Sequence, residues 1–249
     1  MTASTTIITG GAGGIGSATA RRLLTASDER HVALVDRTTS VLPHDLRDFE
    51  PRVRLFEGDV TDADGVAVIA ERIRDDMPPA DTLVNGAGTV RNDDSIDIPL
   101  TAFRELMAVH VDGTLLWCQH LASMLDGRPG AIVNIGSIAG QFGHPRRIAY
   151  AAAKAAVHSM TKTLAVEWAG RGIRVNAVSP GYIETPMMQE VARIGLVDTS
   201  VAASLAAMKR LGKKEEVAAG IAFLLGDEAG FITGHVLNID GGFAVLKAE

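Results

Sequence analysis

Tyr150 and Lys154 stand four residues apart in Tyr150-Ala151-Ala152-Ala153-Lys154, the spacing that puts two side chains on one face of a helix. A phenol ionises near pH 10 and is a poor base at neutral pH unless positive charge lies beside it. An ammonium one turn away supplies such charge. Lowering the phenol by about three units takes about 4 kcal/mol of interaction, and Lys154 is placed to supply part of it. Taken alone, the pair also fits a plain solvated helix face. Ser137 stands thirteen residues before Tyr150, in Asn134-Ile135-Gly136-Ser137, at the end of an apolar run. A hydroxyl at a strand end can hold a substrate oxygen while the tyrosine moves the proton. A Ser-His-Asp hydrolase is the competing chemistry, but no Gly-x-Ser-x-Gly elbow surrounds Ser137.

A second group of residues has the types that hold a dinucleotide. Thr9-Gly10-Gly11-Ala12-Gly13-Gly14-Ile15-Gly16 joins a β-branched run to a helical pattern. Glycines let the backbone approach a pyrophosphate, and a helix N-terminus offers free N–H groups to it. Two registers are legible, one through Gly11, Gly13 and Gly16, the other through Gly10, Gly14 and Gly16. Asp36 ends the next apolar run, 20 residues after Gly16. A carboxylate there bonds the adenosine ribose and repels a 2′-phosphate, which favours NAD. Arg37 follows directly and leaves NADP open, since a guanidinium can pair with that phosphate. Asp59 and Val60 are placed to contact adenine, and Asn85, Ala87 and Gly88 offer small residues where a cofactor must lie against backbone. An oxidised nicotinamide would add a second positive charge near Tyr150.

These residues need elements to position them. Short apolar runs at Thr5–Thr9, His31–Val35, Val53–Phe56, Thr82–Val84, Ala131–Ile135, Arg174–Val178 and Val236–Ile239 read as strands. Helical spacing runs through Gly14–Ala26, Asp62–Arg74, Leu100–Leu125, Ile148–Ala169 and Glu215–Leu225. Thr61 is the expected cap of the second of these, and Lys213-Lys214-Glu215-Glu216 leads into the last. Strand–helix alternation predicts a single doubly wound α/β domain over residues 1–249, with a seven-stranded parallel sheet and helices on both faces. Residues 182–208 show no strand and a loose amphipathic pattern, read as a helical lid over the site.

The 249 residues carry 24 Lys plus Arg against 30 Asp plus Glu, a net charge of −6, which argues against nucleic acid as the main partner. Cys118 is the one cysteine, so neither a disulfide framework nor a cysteine-rich metal site is expected, and its apolar surroundings read as a packed thiol. The first residues lack a basic and then apolar leader, and no apolar run reaches the roughly 20 residues of a membrane span; the cytoplasm is the expected compartment.

The combined motifs resemble the short-chain dehydrogenase/reductase family, near the 3-oxoacyl-carrier-protein reductases and NAD-linked alcohol dehydrogenases. The resemblance runs from Thr9 to Gly242, through Asp59, Asn85–Gly88, Ser137, Tyr150, Lys154, Asn176–Gly181 and Asp240–Gly242. It implies a Rossmann-type fold and hydride transfer between a nicotinamide and a carbonyl carbon. Tyr150 would be the acid/base, Ser137 would orient the substrate oxygen, and Lys154 would bind the nicotinamide ribose. Pro180, Gly181, Ile183 and Thr185 would bind the carboxamide. It also implies a homotetramer, or a dimer, built on helices such as the alanine-rich one that carries Tyr150. The sequence departs from the family at His110, where an asparagine usually supports a water chain to the lysine. An imidazole can also donate and accept, so His110 is a candidate for that relay.

On the substrate side, Gln141, His144, Arg146 and Arg147 precede Tyr150, and the two arginines suit an anionic group. Met187, with Met188, Val191, Ile194 and Leu196, gives the lid an apolar side. The leading expectation is an NAD-dependent oxidoreductase for a secondary alcohol or its ketone. An NADP-linked 3-oxoacyl thioester reductase is the alternative, with Arg146, Arg147, Lys209 and Arg210 as a docking surface for an acidic carrier. A binding protein that senses NAD(H) without turnover is the reading from another class. The apolar end Phe243–Leu246 docks either on a second subunit or on its own sheet.

Overall fold

The computed structural model describes residues 2–37, 42–193, 195 and 197–246. Its strands are β1 (Ser4–Thr9), β2 (Arg30–Asp36), β3 (Val53–Glu57), β4 (Ala80–Asn85), β5 (Gly130–Ile135), β6 (Ile173–Pro180), β7 (Ile183–Glu184), β8 (Gly212–Lys213) and β9 (Val236–Ile239). Its helices are α1 (Gly14–Ala26), α2 (Ala63–Asp76), α3 (Leu100–Met107), α4 (Gly113–Met124), α5 (Ile148–Trp168), α6 (Pro186–Arg193), α7 (Thr199–Ser204) and α8 (Lys214–Leu225). Seven strands form one parallel sheet in the order β3-β2-β1-β4-β5-β6-β9. All seven are the runs expected from the sequence. They read as near-continuous apolar runs because helices cover both faces. Ile7, Ala33, Leu83, Ile132 and Val175 pack on the side of α2, α4 and α5. Their sequence neighbours Ile8, Leu34, Val84 and Val133 pack on the side of α1 and α8. Among the described residues no helix is long and apolar enough to cross a membrane.

The chain leaves β1 towards β2 on one side and returns to β4 on the other. That reversal opens a crevice at the carboxyl ends of β1 and β4, where open α/β sheets bind ligands.

Three local expectations are corrected. The pattern over Leu100–Leu125 is not one α-helix. A π-turn at Ala108–Asp112 separates α3 from α4, and periodicity alone does not register one extra residue in a turn. Residues 182–208 do contain a strand: β7 pairs in parallel with β8 as a separate two-stranded ribbon, too short to show alternation. The remainder forms α6 and α7; Ile194 and Leu196 lie outside the described residues. Asp62, not Thr61, caps α2, its carboxylate accepting from Gly65 N–H at 3.1 Å. The Thr61 hydroxyl is instead bound to Asp59. At α8 the Glu216 carboxylate accepts from Lys213 N–H at 2.7 Å.

Candidate active site

A cleft of about 410 Å³ opens at the crevice. It runs from Asp36, Arg37, Asp59 and Val60 at one end to Ser137, Tyr150 and Lys154 at the other. Gly10, Gly14, Ile15 and Gly16 line it, as do Ala87 and Gly88, and Pro180, Gly181, Ile183, Thr185 and Met187.

The loop after β1 fits a dinucleotide by its shape. Gly10 has φ +64°, and a Cβ there would lie 2.6 Å from Gly86 O. A Cβ on Gly16 would overlap Gly10 O, so the first turn of α1 sits directly on the loop. No side chain caps α1, which leaves its first N–H groups to the cleft. Asp36 closes the far end: its carboxylate accepts from Ala12 N–H at 3.1 Å and from Arg37 N–H at 2.8 Å. The Arg37 guanidinium lies 3.9 Å from Asp59. Burial raises the Asp59 carboxyl, but bonds from the Thr61 N–H and hydroxyl, with Arg37, outweigh it and hold the group below its usual range.

At the other end, α5 presents Tyr150 and Lys154 to the cleft. Lys154 is buried, and its Nζ donates to Ile135 O at 2.6 Å. Burial brings its ammonium down to about 7. Nζ lies 5.8 Å from the centre of the Tyr150 ring. Burial also raises the Tyr150 phenol, while a bond to Ser137 and the nearby Arg147 guanidinium draw it back. Ser137 caps a short turn at Ile138–Gly140, its Oγ accepting from Ala139 N–H at 3.1 Å. The hydroxyl proton is therefore available to another oxygen.

His110 sits in the π-turn, 2% exposed. Its Nε2 lies 2.8 Å from Thr89 O and 3.4 Å from Thr89 N, so it meets both the carbonyl and the N–H of that residue. Nδ1 is buried without a protein partner. The ring meets Tyr150 edge-on at 5.5 Å. Burial, then Lys154, pushes the imidazole down to about 3, against the opposing Thr89 bond. The Thr114 hydroxyl occupies the His110 carbonyl at 2.7 Å. A neutral ring bonded this way braces the wall beside Thr89.

Three sequence candidates do not reach the cleft. The Asn85 side chain turns into the core, donating to Asn134 Oδ1 at 2.9 Å and to the Cys118 sulfur at 3.3 Å. Asn134 in turn donates to Thr161. This network ties β4 and β5 to α4 and α5, and only the folded structure brings its members together. Gln141 donates instead to Ser179 and Asn238 at the ends of β6 and β9, because its short turn aims it outward. Arg146 has φ +64° and an exposed side chain outside the cleft lining. Arg147 and His144 do line it. Sequence reasoning passed over Thr89 and Val90, which also line the cleft but carry no motif. Cys118 is buried, and burial pushes its thiol up to about 12.

Residues 10–244 match the family described as enoyl-(acyl carrier protein) reductase. The chain is 36% identical to cis-4-hydroxycyclohexanecarboxylate dehydrogenase of Sinomonas cyclohexanicum, over 96% of both chains. It is 37% identical to a 3-oxoacyl-[acyl-carrier-protein] reductase of Thermotoga maritima, over 96% of this chain and 97% of the relative. A solved structure of ElxO with NADP bound superposes with a TM-score of 0.91 at 36% identity, covering 98% of this chain and all of that one. The fold, the cleft and these likenesses agree: the chain belongs to the short-chain dehydrogenase/reductase family, and its named relatives include nicotinamide-linked dehydrogenases and reductases that act on secondary alcohols or their ketones.

Proposed function

We propose that the protein is an NAD-linked oxidoreductase for a small secondary alcohol or its ketone. One observation carries the reading: Ser137, Tyr150 and Lys154 converge at one end of a cleft whose other end presents the Asp36 carboxylate. A nicotinamide held by the Gly10–Gly16 loop and by Pro180, Gly181, Ile183 and Thr185 would supply or take up the hydride. The Ser137 hydroxyl donates to the substrate oxygen and fixes it beside the phenol. Tyr150 takes the hydroxyl proton in oxidation and returns it in reduction. Protonated Lys154 stabilises the phenolate, and burial keeps its proton labile near neutrality. His110 remains the candidate for the proton relay to Lys154: a neutral imidazole both donates and accepts, and its buried Nδ1 has no protein partner among the described residues.

Asp36 supports NAD, since a second negative charge there repels a 2′-phosphate. Arg37 supports the alternative, an NADP-linked thioester reductase. The carrier-docking surface that reading needs is weakened, because Arg210 is held by Glu216 through two bonds and Lys209 donates to Ser204 O. The segment 182–208 acts as the substrate lid, with Met187, Met188 and Val191 towards the cleft. We also propose a homotetramer, or a dimer, and a cytoplasmic location, where the nicotinamide pool resides.

Initial rates at 340 nm over neutral, anionic and thioester substrates, each with NAD(H) and NADP(H), test the reading. Expected is turnover of a secondary alcohol with a higher kcat/KM for NAD, and Asp36→Ala lowering that preference at least tenfold. A higher kcat/KM for NADP, or turnover of thioesters alone, overturns it.

A further inference from the structure

Two arginines line the cleft, Arg37 at the Asp36 end and Arg147 at the Tyr150 end. Arg37 faces the Asp59 carboxylate. Among the described residues no carboxylate lies within ion-pair distance of Arg147, although its side chain is half-buried. A partly desolvated guanidinium without an anion is unfavourable unless an anion visits it.

The group is held in place from two sides. Arg147 Nε donates to Asn92 Oδ1 at 3.1 Å, and next to it Asp93 N–H donates to Arg146 O at 3.0 Å. These bonds join the loop after β4 to the start of α5. One amide oxygen on Nε fixes the plane of the guanidinium, and the terminal nitrogens have no protein partner among the described residues. Fork geometry of this kind matches an oxyanion with two oxygens. Arg147 is the N-cap residue of α5, three residues before Tyr150, and its charge reaches the Tyr150 phenol.

His144 and Tyr182 line the cleft together with Arg147, and both rings meet Phe243. His144 stacks on Phe243, with ring centres 6.0 Å apart and planes at 16°, and Tyr182 meets Phe243 edge-on at 6.3 Å. Burial and Arg147 keep the His144 imidazole below its usual range, so it adds no competing positive charge.

We propose that Arg147 is the substrate's anion receptor: the cleft takes a secondary alcohol or ketone bearing a carboxylate-like group a few carbons from the reacting carbon, with its carbon body against His144 and Tyr182. Arg146 takes no part, since it faces away from the cleft. The inference rests on the oxidoreductase reading and names its substrate class.

Binding to the protein–NADH complex tests it without turnover. NADH binding is read first by fluorescence, and then cyclohexanecarboxylate and cyclohexanecarboxamide are titrated calorimetrically. The wild type should bind the carboxylate at least tenfold more tightly. Arg147→Met should remove the difference with NADH binding retained, Arg147→Lys should keep part of it, and Arg146→Met should keep all of it. Equal or undetectable binding of the two ligands by a wild type that binds NADH overturns the anion receptor and leaves the oxidoreductase reading standing. So does an Arg146→Met variant that loses the preference as fully as Arg147→Met. A wild type that binds no NADH overturns both. Should Arg147→Met fail to fold, the wild-type comparison and Arg147→Lys still decide.

Discussion

Each functional side chain in the cleft is set by what its neighbours leave unpaired. Tyr150 feels burial in one direction and Ser137, then Arg147, in the other. Tyr150→Phe should lower kcat/KM about 10²–10⁴-fold while NADH still binds, checked by initial rates and fluorescence titration. Because Arg147 draws the phenol down, Arg147→Met should move the rising limb of the oxidation pH profile to higher pH. A limb that stays in place or moves down counts against that contact. His110 bears on stability. Its folded value, about 3, lies below the usual 6.5, so between those values the unfolded chain binds more protons. Stability should therefore be complete above pH 6.5 and fall by up to about 1.4 kcal/mol per pH unit below it. His158, buried and brought to about 4 by burial and by Lys154 and Lys162, acts in the same direction. Urea midpoints between pH 7 and pH 5 should drop, and the drop should be shallower in His110→Asn.

At the scale of elements, close approach positions the chemistry. β5 ends at Ile135, whose carbonyl holds Lys154, and Gly136 then passes against the His158 ring of α5. A Cβ on Gly136 would overlap His158 Nε2. Gly136→Ala should cost about 1–3 kcal/mol in chemical denaturation, by overpacking. Adding His158→Ala should recover much of that loss, a coupling that a double-mutant cycle measures. The π-turn between α3 and α4 has a comparable part, because it lets His110 bond Thr89 while Trp117, Cys118 and Leu121 stay in the core.

For the whole molecule, the outer faces matter. α5 shows a narrow stripe in which Ala155 is exposed and Ala151, Ala152 and Ala156 are half-buried. Leu100, Leu115 and Val166 are exposed on α3, α4 and α5. Such faces suit helix-to-helix contact between subunits. Light scattering should give four times the 26.2 kDa chain mass, or twice for a dimer, and Leu115→Asp with Val166→Asp should lower it. A wild-type mass of one chain removes the assembly reading. Phe243 answers half of the question about the C-terminal end: it folds onto Phe142, His144 and Tyr182 of its own chain, while Val245 stays exposed.

The sequence by itself determined the seven-stranded sheet, the Gly-rich loop and the Ser137, Tyr150, Lys154 set, because these depend on local patterns: apolar runs, glycines before a helix, and i,i+4 spacing. Only the tertiary structure decided which polar residues face the cleft. Asn85 and Gln141 have suitable chemistry but turn to partners 33 or more residues away. Arg146 and Arg147 are adjacent in the chain, yet the left-handed turn at Arg146 sends one side chain outward and leaves the other in the wall. Side-chain direction depends on contacts between distant strands and helices, and those contacts exist only once the sheet has closed around its two cores.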